Sequence, residues 1–392
     1  MNPAILNTES QTFINQHLNA DIAKLIFKGS PFKTITIQEL AAQIEVKKKA
    51  QHKLPTWFNT ENIYYPNKLN IEQTSSEITA TYKSSLLKGE SIIDLTGGFG
   101  VDVFAFSDRF KKVVHCEINQ ELSAIVTHNY KVLNKDNIQL INKDGITYLK
   151  ENKQQFDWIY IDPSRRHNVK GKVFLLEDCE PNVPKHLNNL FEYSANIMIK
   201  VSPMLDLTSA LSELDFVKEI HVIAIQNEVK EVLFILEKGF KNEIKIKTIN
   251  SKKGTIEFFD ASWVKNTPPA VLSEPLTYLY EPNSPILKAG LFNEVSGQLN
   301  VFKLNINSHL YTSKNLIKFP GRRFKIINKI PYNLKELKNI FKEKRANITT
   351  RNFPETVVKI RKKTKLKDGG NHYLFFTTDN KENLIVLITH KV

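Results

Sequence analysis

Cysteine is nearly missing from this chain of 392 residues, which has two, and methionine and tryptophan are almost as rare, with three of each. Cys116 and Cys179 are too few for a disulfide framework and stand in no metal-ligand spacing with histidines, so a reduced, metal-free protein is expected. No apolar run approaches the roughly 18 to 20 residues needed to cross a bilayer. No opening stretch joins a basic segment to an apolar one as a secretion signal does, and a cytoplasmic location without membrane association is expected. With 41% hydrophobic residues the chain can bury a sizeable core in two or three domains.

Acid is also missing from one end. From Tyr311 onward there are 20 Lys and Arg against 6 Asp and Glu, so the whole net charge of +14 lies there and the preceding chain is balanced. A solvated basic face is the plainer reading of such a run. Yet Arg322-Arg323, Lys342 to Arg345 and Arg361 to Lys367 form separate clusters in one small domain, which favours nucleic-acid binding; Lys362, Lys363 and Lys365 are the candidate phosphate contacts.

Along the chain, residues 1–88 read as helical. Ile14, Leu18, Ile22, Leu25 and Ile26 recur at helical spacing, and Thr36 with Glu39 and Thr74 with Glu77 each fit a capping box. Trp57, Phe58, Tyr64 and Tyr65 lie in a proline-broken stretch, with core packing expected ahead of base stacking. Residues 89–240 alternate strand and helix, giving a Rossmann-like α/β domain with a mostly parallel sheet. Strands over Ile220 to Gln226 and Glu231 to Leu236, with a turn at Asn227 to Lys230, make a hairpin that closes it. Residues 241–318 read as a small α+β module, with a hairpin about Ser251 to Gly254 and a helix from near Ser284. Residues 319–392 form a basic α+β domain with strands over 324–330, 373–377 and 384–389 and helices after Asn333 and Pro354.

Glycine is sparse too, at 14 residues, but three stand together in SIIDLTGGFGVD. A short apolar strand ending in Asp94 runs through Thr96, Gly97, Gly98 and Gly100 to a helix carrying Asp102, which lets the backbone approach a ligand at a helix N-terminus. Such a loop suits an adenine nucleoside. KVVHCE then reads as a second strand ending in Glu117, beside Ile118, where a carboxylate can accept from both ribose hydroxyls. A third strand over Ile138 to Ile141 leads to Asp144-Gly145, placed to accept from an adenine amine. NAD would need pyrophosphate next to Asp94, which repels it; the ammonium of S-adenosylmethionine is attracted instead. Both Asp94 and Glu117 are expected at exposed strand ends.

YIDPSRR follows a fourth strand and brings Asp162 and Pro163 to the same sheet edge. A carboxylate and a proline carbonyl can both accept from an exocyclic amine, freeing its lone pair for methyl transfer, which needs alignment more than a strong base. Ser164 and Arg165 belong to this catalytic loop, and Arg166 and His167 extend a surface for a base or phosphate. Lys200 and Ser202, after the fifth strand, line the edge as substrate contacts, Ser202 equally as a turn residue. His115 reads as a core residue. A turn with solvated arginines is the alternative for the whole loop.

DLTGGFGVD, Glu117, Asp144 and DPSRR together resemble the class I S-adenosylmethionine-dependent methyltransferases over roughly Ser91 to Lys238. That resemblance implies a seven-stranded, mostly parallel sheet and S-adenosylmethionine as cofactor. TGGFGVD is similar to the TAGLGRD-like loop of enzymes that methylate a guanine amine in small-subunit ribosomal RNA. DPSRR departs from their DPPY or NPPF motif, in that Ser164 and Arg165 replace the second proline and the aromatic, and also looks like the DPPR of uridine carbon methyltransferases. Those carry a nucleophilic cysteine in VSCNP, however, where this chain has Val201-Ser202-Pro203-Met204, and a serine hydroxyl without a base is no substitute. With YEPNSPILKAGLF and the basic end, the whole chain resembles a bacterial family of methyltransferases with a ferredoxin-like module and a C-terminal THUMP-like domain, which implies binding of structured RNA, transfer or ribosomal. A protein methyltransferase that docks on ribosomal RNA or an acidic partner is the alternative, and a non-catalytic cofactor- and RNA-binding module a third.

Overall fold

The computed structural model describes residues 1–165, 175–264, 267–334, 337, 340 and 345–392. It divides into two compact units, Met1–Val217 with Leu233–Lys241, and Lys218–Val232 with Asn242–Val392.

The first unit opens with six helices: α1 (Thr8–Gln16), α2 (Ile22–Lys28), α3 (Ile37–Lys53), α4 (Pro55–Asn59), α5 (Lys68–Gln73) and α6 (Glu77–Leu86). Asp21 caps α2, and the apolar residues at helical spacing are divided between α1, with Ile14, and α2, with Ile22, Leu25 and Ile26. Thr36 and Glu39 form the expected capping box on α3. Thr74 does not cap α6: Ser76 does, accepting from the Thr79 amide, while Glu77 turns to the Thr56 amide and hydroxyl. Trp57 and Tyr65 are fully buried, with the Trp57 ring 4.4 Å from that of Phe104. These aromatics are core, as expected.

The strands that follow are β1 (Ser91–Asp94), β2 (Lys112–Cys116), β3 (Ile138–Ile141), β4 (Trp158–Ile161), the short β5 (Ser164–Arg165) and β6 (Cys179–Glu180), and β7 (Asn196–Val201). Helices α7 (Val101–Ser107), α8 (Gln120–Val132), α9 (Gly145–Asn152), α10 (Val183–Leu190) and α11 (Leu207–Glu213) alternate with them. β1 lies between β2 and β4, β3 flanks β2 and β7 flanks β4, all parallel. Nearly every side chain of β1, β4 and β7 is buried, as a sheet covered on both faces requires. The hairpin of β8 (Val217–Ile225) and β9 (Glu228–Glu237) is divided between the two units and follows β7 in the order β3-β2-β1-β4-β7-β9-β8, part of a sheet of nine strands rather than the expected seven. This is the expected Rossmann-like α/β sheet. Its hairpin turn is tighter than the sequence suggests: Gln226 and Asn227 both take positive φ, 52° and 65°, a two-residue turn whose twist suits adjacent strands.

In the second unit β10 (Lys245–Lys252) runs parallel to β8 and pairs antiparallel with β11 (Thr255–Ser262). Next come β12 (Tyr278–Pro282), α12 (Ser284–Ala289), α13 (Phe292–Leu299), β13 (Phe302–Lys303), β14 (Tyr311–Ser313), β15 (Gly321–Pro331), β16 (Asn347–Arg351), α14 (Val357–Thr364), β17 (His372–Thr378) and β18 (Leu384–Lys391). They make one seven-stranded sheet, β13-β14-β12-β15-β18-β17-β16, with α14 as the crossover between parallel β16 and β17. Leu279, Leu304 and Leu310 pack in one core with Phe324, Phe375, Ile385 and Leu387. The expected helix after Asn333 falls largely on residues outside the described ones.

Candidate active site

The glycine loop is built from below. The Gly97 amide bonds the Cys116 carbonyl at 2.8 Å and the Gly100 amide the Gly97 carbonyl at 3.0 Å, folding the chain sharply off the end of β1. A Cβ on Gly97 would lie 2.3 Å from Nε2 of His115, and one on Gly100 2.1 Å from the hydroxyl of Tyr130, which donates to the Gly100 carbonyl at 2.6 Å. His115 is fully buried, as expected of a core residue, and burial pushes its imidazole down to about 4, so the ring under the loop is neutral near pH 7. Gly98 differs. Its φ is +57° and a Cβ there would meet nothing closer than 3.7 Å, so this glycine answers a backbone need and leaves its side of the loop open.

Glu117 follows β2 and is half-buried, its two carboxylate oxygens accepting from the amides of Gly98 at 2.8 Å and Asn119 at 2.7 Å. Ile118 beside it is 73% exposed. Asp144 is exposed and caps α9, accepting from the Thr147 amide and hydroxyl; Gly145 is glycine because a Cβ would press within 2.5 Å of the Leu95 carbonyl. Thus the loop, Glu117, Ile118, Asp144 and Gly145 meet along the carboxyl edge of β1, β2 and β3, where ligands bind in such sheets.

Asp94 is the correction. It is 2% exposed rather than open at a strand end, because the chain folds back over it at Thr96, whose amide and hydroxyl both donate to its Oδ1 at 2.8 and 3.1 Å. Burial pushes this carboxyl well above the usual range; the Thr96 bonds oppose the shift, and nearby Asp102 and Asp162 add to it. Asp102 is buried as well, but lies 3.1 Å from the Lys83 ammonium and accepts from the hydroxyls of Ser75 and Tyr160, both at 2.8 Å. Burial pushes the Asp102 carboxyl up, and Lys83 ahead of Lys200, with those hydroxyls, outweighs it and holds it below the ordinary value.

Asp162 stands at the end of β4, its amide donating to the Thr96 hydroxyl at 2.7 Å. The two halves of the expected site therefore touch. Its carboxylate is paired with the Lys200 ammonium, which lies at the end of neighbouring β7 with little exposure. Pro163 is buried and Ser164 exposed, and Ser164-Arg165 continue as β5, laddered to Cys179-Glu180 of β6. Cys179, which the sequence does not connect to the site, is thus the register partner of Arg165. Arg166 and His167 lie outside the described residues. Ser202 is exposed just past β7, and Met204 beside it is 81% exposed.

Lys362, Lys363 and Lys365 are exposed on α14 and its C-terminal cap in the second unit; Lys363 pairs with Glu355 at 2.6 Å. Arg322 and Arg351 both pair with buried Glu281. Lys342 to Lys344 lie outside the described residues. Sequence reasoning missed Lys83 and Tyr130, since a lysine or tyrosine on an amphipathic helix carries no sign of which partner buries it. Among the described residues no helix is long and apolar enough to cross a membrane, and no three His, Cys, Asp or Glu gather as a metal site would need.

Three family models match the chain: conserved hypothetical protein 95 over residues 64–219, a ferredoxin-like domain over 278–320 and a THUMP domain-like segment over 321–391. A crystal structure from Porphyromonas gingivalis W83, provisionally named a methyltransferase, is 30% identical, covers 97% of both chains and superposes with a TM-score of 0.88. Fold and relatives define a Rossmann-like methyltransferase. An uncharacterized RNA methyltransferase of Mycoplasma mobile is 32% identical over 152 residues, a stretch that covers 37% of this chain and 41% of that protein's length. The chain belongs to the methyltransferase family in which this fold is joined to ferredoxin-like and THUMP-like segments.

Proposed function

We propose that the protein transfers a methyl group from S-adenosylmethionine to structured RNA, transfer or ribosomal, at an exocyclic amine of a base. The observation that carries the cofactor reading is the charge count beneath the glycine loop. Three carboxyls, Asp94, Asp102 and Asp162, stand near two buried lysines; Lys83 pairs with Asp102 and Lys200 with Asp162, while Asp94 has, among the described residues, only the donors of Thr96. A ligand ammonium would supply the counter-charge that Asp94 lacks. Gly98 leaves room for close approach, Glu117 has carboxylate oxygens at a strand end for ribose hydroxyls, exposed Ile118 offers an apolar face, and Asp144 with Gly145 bounds the far side. Thr96, Gly97, Gly100 and Asp102 shape the loop. When bound, S-adenosylmethionine supplies an electrophilic methyl group.

On the acceptor side, Asp162 keeps one carboxylate oxygen outside its pairing with Lys200, and its side chain is one-third exposed. Asp162 and the Pro163 carbonyl would accept from the amine and orient its lone pair; Ser164 and Arg165, with Arg166, would hold the neighbouring base or phosphate, and Ser202 and Lys200 would border them. Pairing with Lys200 fixes the direction in which the Asp162 carboxylate faces. The RNA reading is supported by the excess charge after Tyr311, by the THUMP-like match over 321–391 and by the name of the Mycoplasma relative. We assign the four segments 1–88, 89–240, 241–318 and 319–392 to support, chemistry, a ferredoxin-like module and RNA docking.

The test is incubation of the full chain with methyl-labelled S-adenosylmethionine and RNA from cells that lack the gene. Label should enter one modified nucleoside that is missing from those cells, and Asp162→Ala should bind cofactor but transfer nothing. Label in protein rather than RNA would refute the substrate assignment.

A further inference from the structure

Thr96 belongs to both halves of the site. Its amide and hydroxyl donate to Asp94 Oδ1, and the same hydroxyl oxygen receives the amide of Asp162 at 2.7 Å. A hydroxyl has one proton and two lone pairs, so with its proton given to Asp94 it holds the acceptor loop through a lone pair. The backbone of Asp162 is fastened only here among the bonds described, whereas its carboxylate is fastened to Lys200 on the opposite side.

We infer that the Thr96 hydroxyl is a positioning group through which cofactor occupancy sets the acceptor loop. This rests on the reading that Asp94 meets the ligand ammonium. A carboxylate held ionised by that ammonium is a stronger acceptor than a carboxylic acid and polarises the Thr96 O–H toward itself. The oxygen becomes richer in charge and pulls harder on the Asp162 amide, because hydrogen bonds in series strengthen one another in a dry interior. The loop that orients the methyl acceptor is then tightest when cofactor is present. The order of events follows: cofactor first, acceptor second.

The experiment follows hydrogen exchange of the Asp162 amide, by mass spectrometry of peptides across 158–165, with and without saturating S-adenosylhomocysteine, whose ammonium is the same. In the wild type the ligand should slow exchange by at least about fivefold, the lower end of ordinary site-to-site coupling. Thr96→Val keeps the shape and the backbone amide but has no hydroxyl, and with S-adenosylhomocysteine raised until the variant is saturated, whatever its affinity, should show little or no slowing; Thr96→Ser should restore it. Thr96→Ala repeats the test without the branched side chain. Slowing in Thr96→Val or Thr96→Ala equal to wild type would overturn the inference and leave the cofactor reading intact. Absence of S-adenosylhomocysteine binding to the wild type, read by titration calorimetry, would overturn both.

Discussion

Asp94 is a costly residue for the empty protein, and its cost can be measured. Because its folded-state pKa is raised above the unfolded value, the folded state holds this proton more tightly; the favourable contribution is present at low pH and is lost as pH rises toward the raised value. Asp94→Asn keeps an oxygen for both Thr96 donors and has no charge to bury. Thermal melts should show it more stable than wild type near neutral pH, with the difference vanishing in acid, while calorimetry shows weaker S-adenosylhomocysteine binding. Wild-type binding should also release protons, seen as a heat that depends on the ionisation enthalpy of the buffer and disappears in Asp94→Asn. Lys83 makes the opposite case. Lys83→Met leaves Asp102 buried without its cation and should lower stability by about 3–5 kcal/mol in denaturant melts. The sequence places Asp94, Glu117, Asp144 and Asp162 at strand ends because strand, loop and helix alternate in sequence. It does not tell that Asp94 is roofed over, since the roof is a hydrogen-bond pattern at Thr96, nor that Lys83 is buried, since its partner lies on another helix.

Among the elements, α14 turns charge into a testable arrangement. Ile360 and Thr364 face inward one turn apart, leaving Lys359, Lys362 and Lys363 on the outer surface, with Lys365 in a left-handed cap at φ +60°. Lys362 and Lys365 have no ion-pair partner among the described residues, whereas Lys363 is held by Glu355. If this face meets RNA phosphates, neutralising Lys362 and Lys365 together should make the slope of log affinity against log salt shallower by roughly 1.4–1.8, and neutralising Lys363 should change it less. Filter binding across a salt series reads both. The helix itself is legible from Pro354 and the run that follows, though its cap is Thr356 and it stops at Thr364, before Leu366. Misreading of the α6 cap has a simple cause: Thr74, Ser75 and Ser76 all suit a cap, and only the position of Thr56 decides what Glu77 does.

For the molecule as a whole, the informative feature is the sheet of the second unit. The ferredoxin-like and THUMP-like matches meet between residues 320 and 321, but β12 pairs with β14 on one side and β15 on the other, in register from Tyr278 with Lys325 to Pro282 with Gly321. Residues 321–392 made alone would expose the edge of β15 and the apolar surfaces of Phe324, Phe375 and Leu387. Such a fragment should melt without cooperativity in circular dichroism, and residues 278–392 should melt more sharply. Strand periodicity shows most of these strands in the sequence, but the pairing joins residues as far apart in the chain as Phe324 and Lys391 and is set by a core that no local pattern displays.

That shared core also limits how the two segments can change through descent. A recombination event at residue 320 would bring together a Leu279, Leu304 and Leu310 surface and a Phe324, Phe375 and Leu387 surface with no common history of fitting. Lineages that enlarge a side chain on one side of the boundary should carry a compensating reduction on the other, and the two segments should be inherited as a single block.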